Sequence, residues 1–265
     1  MKITVFTSNQ PRHISLIEGL ASIADEVFAI QECNTVFPGQ VNDFFKRTNI
    51  MQEYFAHVIS AEKIIFGDLR FVPENVRSIS LKSGDLNKLD CKVLSRAFDS
   101  DFYIIFGSSF IKGSLCDFLV AKNALNIHMG ISPYYRGSSC NFWALYDQKP
   151  DYVGATIHLL SKGLDSGPIL FHAIPKAQAV DPFVLGMMAV RSAHRGIISA
   201  IRDKEIFKME SVSQNKGLEI RYTRNSDFND EIASKYLSAP PSPAEIYAAL
   251  ESRNSNLLLR PYIDV

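Results

Sequence analysis

The sequence predicts an α/β protein, a wound and mostly parallel sheet with a small C-terminal extension, and three observations carry that expectation. The chain opens with a β-branched and aromatic run, Lys2–Phe6, then a polar turn, Thr7-Ser8-Asn9-Gln10-Pro11, then apolar residues at helical spacing over Arg12–Ile23. Strand, polar turn and helix is how a wound α/β domain begins. Phe102–Phe106 (FYIIF) is an unbroken apolar run, the pattern of a parallel strand covered by helices on both faces. Ala124–His128 repeats the strand pattern and ends in a loop rich in glycine and proline.

The remaining elements follow in order. Glu26–Ile30 (EVFAI) reads as the second strand, and Val41 to about Ile65 is helical in pattern. The aromatics there, Phe44, Phe45, Tyr54 and Phe55, read as packing before they read as a platform for a sugar or base. Val76–Leu81 is a third strand and Lys88–Phe98 a helix. Gly107-Ser108-Ser109 breaks the FYIIF strand, and Ser114–Ala121 is helical. A helix over Ser139–Asp147, strands over Val153–Leu160 and Ile169–Ile174, and a long helix over Pro182–Arg202 complete the pattern. After Lys204 the composition changes to short strand-like pieces, a turn at Asn225-Ser226-Asp227 and prolines at 240, 241 and 243. The expected division is therefore a main domain over 1–204 and an extension over 205–265.

Composition narrows the function. At 265 residues, 46% hydrophobic and 21% charged, the chain can bury a core without disulfides. Lys plus Arg and Asp plus Glu both number 28, so no net field draws it to nucleic acid or to an anionic membrane. Cys33, Cys91, Cys116 and Cys140 form no C-x-x-C pair, which argues against a zinc site and suits a reduced cytoplasmic protein. The apolar opening is too short for a signal peptide, and no apolar stretch is long enough for a membrane span. The expectation is a cytoplasmic protein with no metal, no nucleic acid and no membrane partner.

The densest chemical signal is NIHMGISPYYRG, Asn126–Gly137. Asn126 and His128 are two apart on a strand, so their side chains leave the same face. They sit at its C-terminal end, where open α/β sheets place their sites. An amide can donate to a carbonyl oxygen that is gaining charge, and an imidazole can take a proton or stabilise the same oxyanion. Taken alone, His128 has a second reading, a histidine satisfied in the core. The second signal is SKGLDSGP, Ser161–Pro168, where two glycines and a proline surround Asp165 in a tight turn. Folded under His128, Asp165 would raise the imidazole pKa and orient its ring. Its other reading is a turn former.

Together, NIHMGISPYYRG and the downstream GATIHLLSKGLDSGPIL resemble the formyltransferase fold family that uses 10-formyltetrahydrofolate. That family pattern is an Asn-x-His pair, a Ser/Leu-Pro-x-x-Arg-Gly loop and an aspartate in a glycine-flanked turn. Here these are Asn126, His128, Ser132–Gly137, and Asp165 between Gly163 and Gly167. Met129 stands where the family usually has proline, and Ile131-Ser132 where paired leucines are common. The resemblance implies a Rossmann-like formyltransferase fold with its catalytic domain in 1–204. It implies 10-formyltetrahydrofolate as co-substrate and Asn126, His128 and Asp165 as the catalytic set. It further implies that Gly107, Ser109, Phe110 and Ile111 hold the pteridine, with Ile157–Asp165, including Gly163 and Leu164, as the opposite wall.

The acceptor is approached by elimination within the resemblance. The first loop, with Ser8, Asn9, Arg12 and His13, stands where a strand meets a helix N-terminus, a natural anion site. It is read either as a contact to a phosphate or sugar or as a plain helix cap. Arg136 either meets a substrate phosphate or braces its loop. A member acting on methionyl-tRNA is expected to carry a basic C-terminal domain, and charges after Lys204 roughly cancel. A glycinamide ribonucleotide enzyme is expected to have a glycine-rich phosphate loop near the start, and Thr7–His13 is not one. RYTRNSDFND, Arg221–Asp230, is similar to the start of the extension in enzymes that formylate nucleotide-linked amino sugars. The expected acceptor is thus a nucleotide-linked amino sugar, with a homodimer left open. A methionyl-tRNA-type enzyme and a formyltetrahydrofolate hydrolase remain as alternatives.

Overall fold

The computed structural model describes residues 1–33 and 48–264. The opening is as expected: β1 (Lys2–Thr7) leads into α1 (Pro11–Ala21), whose proline occupies the first turn, where its missing N–H costs nothing. β2 (Glu26–Cys33) follows. The next described helix, α2 (Asn49–Phe66), is capped by the Thr48 hydroxyl on the Met51 N–H. The earlier part of the helical pattern expected from Val41, with Phe44 and Phe45, lies outside the described residues.

After β3 (Val76–Lys82) the expected helix over Lys88–Phe98 does not form. Two short 3₁₀ turns, Leu86–Lys88 and Cys91–Leu94, take its place. The Asp90 carboxylate accepts from the Lys92 N–H and starts a fresh turn at that point, the local competition that makes aspartate a poor mid-helix residue. The segment still buries Leu86, Leu94 and Ala97.

β4 (Phe102–Ile105), α3 (Gly113–Ala121) and β5 (Leu125–His128) come next, then β6 (Tyr135–Gly137) and α4 (Cys140–Tyr146). β7 (Ala155–Leu159), β8 (Ile169–Pro175) and α5 (Pro182–Arg202) complete the main body. The chain then makes β9 (Arg221–Thr223), α6 (Asp230–Ser238), α7 (Pro243–Glu251) and β10 (Tyr262–Asp264).

The central sheet runs β10-β8-β7-β5-β4-β1-β2-β3, with β7 alone antiparallel to its neighbours. Winding reverses between β1 and β4, so a crevice opens beyond the carboxyl ends of the strands there. Residues alternate between faces along each strand. Leu125 and Ile127 join Ile3, Val5 and Ile104 in the core under α1 and α5. Asn126 and His128 therefore emerge on the opposite face. α5 buries Leu185, Met188, Ala189, Ser192, Ala193 and Ile197 at helical spacing, and truncating one such leucine or isoleucine to alanine costs about 2–5 kcal/mol.

A second core is aromatic. Tyr54 is buried, with its ring against Phe142, Phe183, Phe228 and Tyr236. The expected packing role of the α2 aromatics thus holds for Tyr54, which joins α2, α4, α5 and α6. Among the described residues no helix is long and apolar enough to cross a membrane.

Beyond Lys204 the chain returns to the main body at several points. β9 pairs in parallel with β6, and β10 adds to the edge of β8. Asp264, 2% exposed, accepts from Arg191 at 2.8 Å and Arg195 at 2.7 Å, fastening β10 to α5. Asp264→Ala should lower the unfolding free energy by about 2 kcal/mol, the scale of hydrogen bonds to a charged group. Urea denaturation should show this as a reduced midpoint.

Candidate active site

β5 and β7 assemble the polar centre between them. Their antiparallel register sets His158 opposite Asn126 and Thr156 opposite His128. Directly opposed residues share a face, so one amide, two imidazoles and a hydroxyl stand together. The loop 161–168 folds back over this face and delivers Asp165. The turn is specific: Asp165 has φ 44°, and a Cβ at Gly167 would lie 1.7 Å from the Leu159 carbonyl oxygen. Gln214 ties the turn down by donating to the carbonyls of Asp165 and Gly167 at 2.9 and 2.8 Å.

The sequence-predicted trio converges. Asp165 Oδ2 lies 3.3 Å from His128 Nδ1, and Asp165 Oδ1 accepts from Asn126 Nδ2 at 3.2 Å. His128 Nε2 lies 3.2 Å from the Tyr135 carbonyl. Both ring nitrogens thus face acceptors, which a doubly protonated ring satisfies at once. Burial by itself opposes that charge, but the Asp165 carboxylate, with Cys140 assisting, outweighs it and raises the His128 pKa well above 6.5. For Asp165, burial pushes upward and the charged His128 ring pulls harder downward, leaving it well below the usual carboxylate range.

His158, expected only as part of the Ile157–Asp165 wall, belongs to this polar centre. Its Nδ1 lies 2.8 Å from the Leu159 carbonyl, so Nδ1 carries the hydrogen. Nε2 is then the acceptor for Asn126 Nδ2 at 2.9 Å. Both N–H bonds of the Asn126 amide are thereby oriented.

The loop after His128 is held over the site from outside. Thr156 Oγ1 donates to the Gly130 carbonyl at 2.6 Å and accepts from the Ser132 N–H at 2.8 Å. His172 accepts from the Leu259 N–H at Nδ1, so its Nε2 donates to the Ser132 carbonyl. Burial lowers its pKa to about 4, which keeps that ring neutral. Arg136 is buried and spans from Glu219 (3.0 Å) to the Leu164 carbonyl (3.4 Å), joining this loop to the Asp165 turn.

A cavity of about 790 Å³ opens beside the trio. Asn126, His128, His158 and Asp165 form one wall. Gly107, Ser109, Phe110 and Ile111 line it as well, with Gly163 and Leu164. Gly107 has φ 69°, and a Cβ there would lie 2.5 Å from the His13 ring. A polar rim is added by Ser138, Ser139 and Asn225, the last from the chain beyond β9.

The first loop is placed otherwise. Ser8, Asn9, Arg12 and His13 are not among the residues lining this cavity. Ser8 donates to the Glu32 carbonyl at 2.7 Å. Arg12 pairs with the buried Glu62 at 2.9 Å. His13 is buried, with Nδ1 2.8 Å from the Thr7 hydroxyl, and burial and the Arg12 charge push its pKa well below 6.5.

Residues 74–201, which include β5, β7 and the Asp165 turn, match the formyl transferase family. The chain carries a formyl transferase domain. Mitochondrial formyltetrahydrofolate deformylase 2 of Arabidopsis thaliana is 28% identical over 107 residues, 38% of this chain and 30% of the relative. The chain thus spans less than a third of that relative's length. Solved structures that share the fold include these two. One is the formyltransferase PseJ of Anoxybacillus kamchatkensis, in complex with UDP-4,6-dideoxy-4-formamido-L-AltNAc and tetrahydrofolate. It has TM-score 0.50 and 16% identity, covering 94% of this chain and 100% of the other. The other is glycinamide ribonucleotide transformylase 1 of Symbiobacterium toebii, with TM-score 0.50 and 17% identity, covering 76% of this chain and 86% of the other.

Within this formyl transferase domain the buried pair has a defined pH window. A raised histidine pKa adds stability that is full below 6.5 and gone once pH passes the folded value. A depressed aspartate pKa adds stability that is full above 3.8 and lost as pH falls through the folded value. The pair contributes in full between these limits. The His128 ring protons followed by NMR should titrate with a midpoint above 6.5. In Asp165→Asn that midpoint should fall by about 1–3 pH units, because burial is then less opposed. An unmoved midpoint contradicts the assignment.

Proposed function

We propose that the chain is an N-formyltransferase that moves a formyl group from 10-formyltetrahydrofolate to the primary amine of a nucleotide-linked amino sugar. The observation that carries this reading is the convergence of Asn126, His128 and Asp165 on one wall of a cavity that also has an apolar slot. Ile105, Phe106 and Leu160 give that slot apolar surface, and the 107–111 backbone gives it donors and acceptors. That combination fits a flat heterocycle.

In this reading the acceptor nitrogen attacks the formyl carbon, a C–N bond forms, and the bond from that carbon to the folate nitrogen breaks. The amine loses one proton and the folate nitrogen gains one. The protonated His128 ring, its two N–H groups kept by Asp165 and the Tyr135 carbonyl, stabilises the carbonyl oxygen through its positive charge as that oxygen turns negative. Asn126 donates to the same oxygen by exchanging its 3.2 Å contact to Asp165, the longer of its two. Freed of that contact, the carboxylate is the base that carries the proton between the two nitrogens, directly or through a water.

The acceptor class is supported by the polar rim of Ser138, Ser139 and Asn225, which offers hydroxyl and amide groups to a sugar beside the reacting centre. The Anoxybacillus protein, similar in fold, was solved with a formamido nucleotide sugar. The product would suit a surface glycan assembled from the cytoplasm. A second reading, hydrolysis of the same donor by water, is favoured by the deformylase relative.

Incubation with 10-formyltetrahydrofolate and a panel of nucleotide-linked amino sugars separates the two. Transfer predicts tetrahydrofolate release that depends on one acceptor, with that sugar gaining a formyl group by mass. Release at the same rate without any acceptor overturns transfer and supports hydrolysis. His128→Ala should lower turnover by about 10²–10⁴-fold, the worth of a positioned acid–base group, while circular dichroism shows the fold retained.

A further inference from the structure

The 107–112 loop is gripped by two residues outside the Asn126–His128–Asp165 centre. Glu32, at the end of β2, is 1% exposed, and among the described residues its carboxylate is met by uncharged donors. Oε1 accepts from the Gly84 N–H at 2.8 Å, the Leu86 N–H at 3.3 Å and the Ser109 hydroxyl at 2.9 Å. Oε2 accepts from the Ser109 N–H at 2.6 Å. Glu32 thus fastens the turn after β3 on one side and the cavity loop on the other.

The turn so held presents Asn87, which repeats the grip two residues along. Its amide nitrogen donates to the Phe110 carbonyl at 2.8 Å, and its amide oxygen accepts from the Lys112 N–H at 2.7 Å. That is the pattern a neighbouring strand would make. It leaves Ile111 between the two contacts, 5% exposed and on the cavity wall. Ser109, Phe110 and Ile111 are therefore fixed by side chains from elsewhere in the fold.

We propose that Glu32 and Asn87 are positioning residues for the folate, setting the backbone of the receiving loop before the ligand arrives. The inference rests on the folate reading above. Recognition through backbone groups tolerates little error, because main-chain donors and acceptors cannot change rotamer to follow a ligand. A loop left free must be ordered at the expense of binding, and a loop already ordered avoids that cost. Only an acceptor-only group can serve the four donors around Glu32; a carboxamide would turn an N–H₂ toward some of them.

Calorimetry with folinic acid, which carries its formyl group on a different nitrogen from the donor, tests this. For Glu32→Gln and Asn87→Ala the expected Kd rises by about tenfold or more, a loss of about 1.4 kcal/mol per tenfold. With saturating donor, kcat and the acceptor KM should stay within about threefold of the wild type, since uniform binding alone is lost. Asn87→Asp, which keeps an acceptor for Lys112 but no donor for Phe110, should fall between. Asn87 is exposed, so its variants carry the test if Glu32→Gln fails to fold. A folded Asn87→Ala protein with wild-type affinity overturns the proposal, as does a parallel loss of kcat and acceptor binding. A wild-type protein that fails to bind folinic acid overturns the folate reading itself.

Discussion

A carboxylate held against two imidazoles and an amide, in a place from which water is largely excluded, is the constraint around which this fold is arranged. Asp165 has a side chain 13% exposed and His128 one of 5%. An unpaired charge at such depth is expensive, and breaking such a pair costs about 3–5 kcal/mol. Everything near it secures the pairing. β7 runs against the direction of its neighbours so that His158 and Thr156 face Asn126 and His128. Gly167 lets the turn touch β7, and Gln214 and Arg136 hold the turn and the opposing loop in register.

The division of labour between the two faces of the sheet follows from strand alternation. One face of β5 contributes Leu125 and Ile127 to the main core, and the other contributes only Asn126 and His128. Because β5 is four residues long, it cannot serve two cores. The space a helix would occupy on its polar face is left to the cavity and to the loop that carries Asp165. Chemistry and packing thus share a strand without competing for the same side chains.

Much of this was legible from residue order alone. The opening strand, turn and helix, the FYIIF strand and the Asn-x-His strand end are local patterns, and local patterns fix local structure. The Asp165 turn was legible too, because glycine and proline at those spacings leave few conformations. What escaped the sequence depends on register and on distant partners. His158 lies in an ordinary β run, and only the antiparallel pairing of β5 with β7 brings it to Asn126. Arg12 resembled an anion contact until Glu62, fifty residues away, claimed its guanidinium. The Lys88–Phe98 stretch has apolar residues that suit a helix, but the Asp90 carboxylate captures a nearby N–H and breaks it into two turns.

The pairing of β10 with β8 has a further consequence for how the protein is made. β8 is a seven-residue strand, all of it buried in the finished fold. Until Tyr262–Asp264 has left the ribosome, its edge carries unsatisfied main-chain groups in an apolar run, the kind of template on which chains associate wrongly. Nascent or prematurely terminated chains are therefore the species that most need a chaperone, and a fusion partner that delays docking at this edge would prolong the hazard.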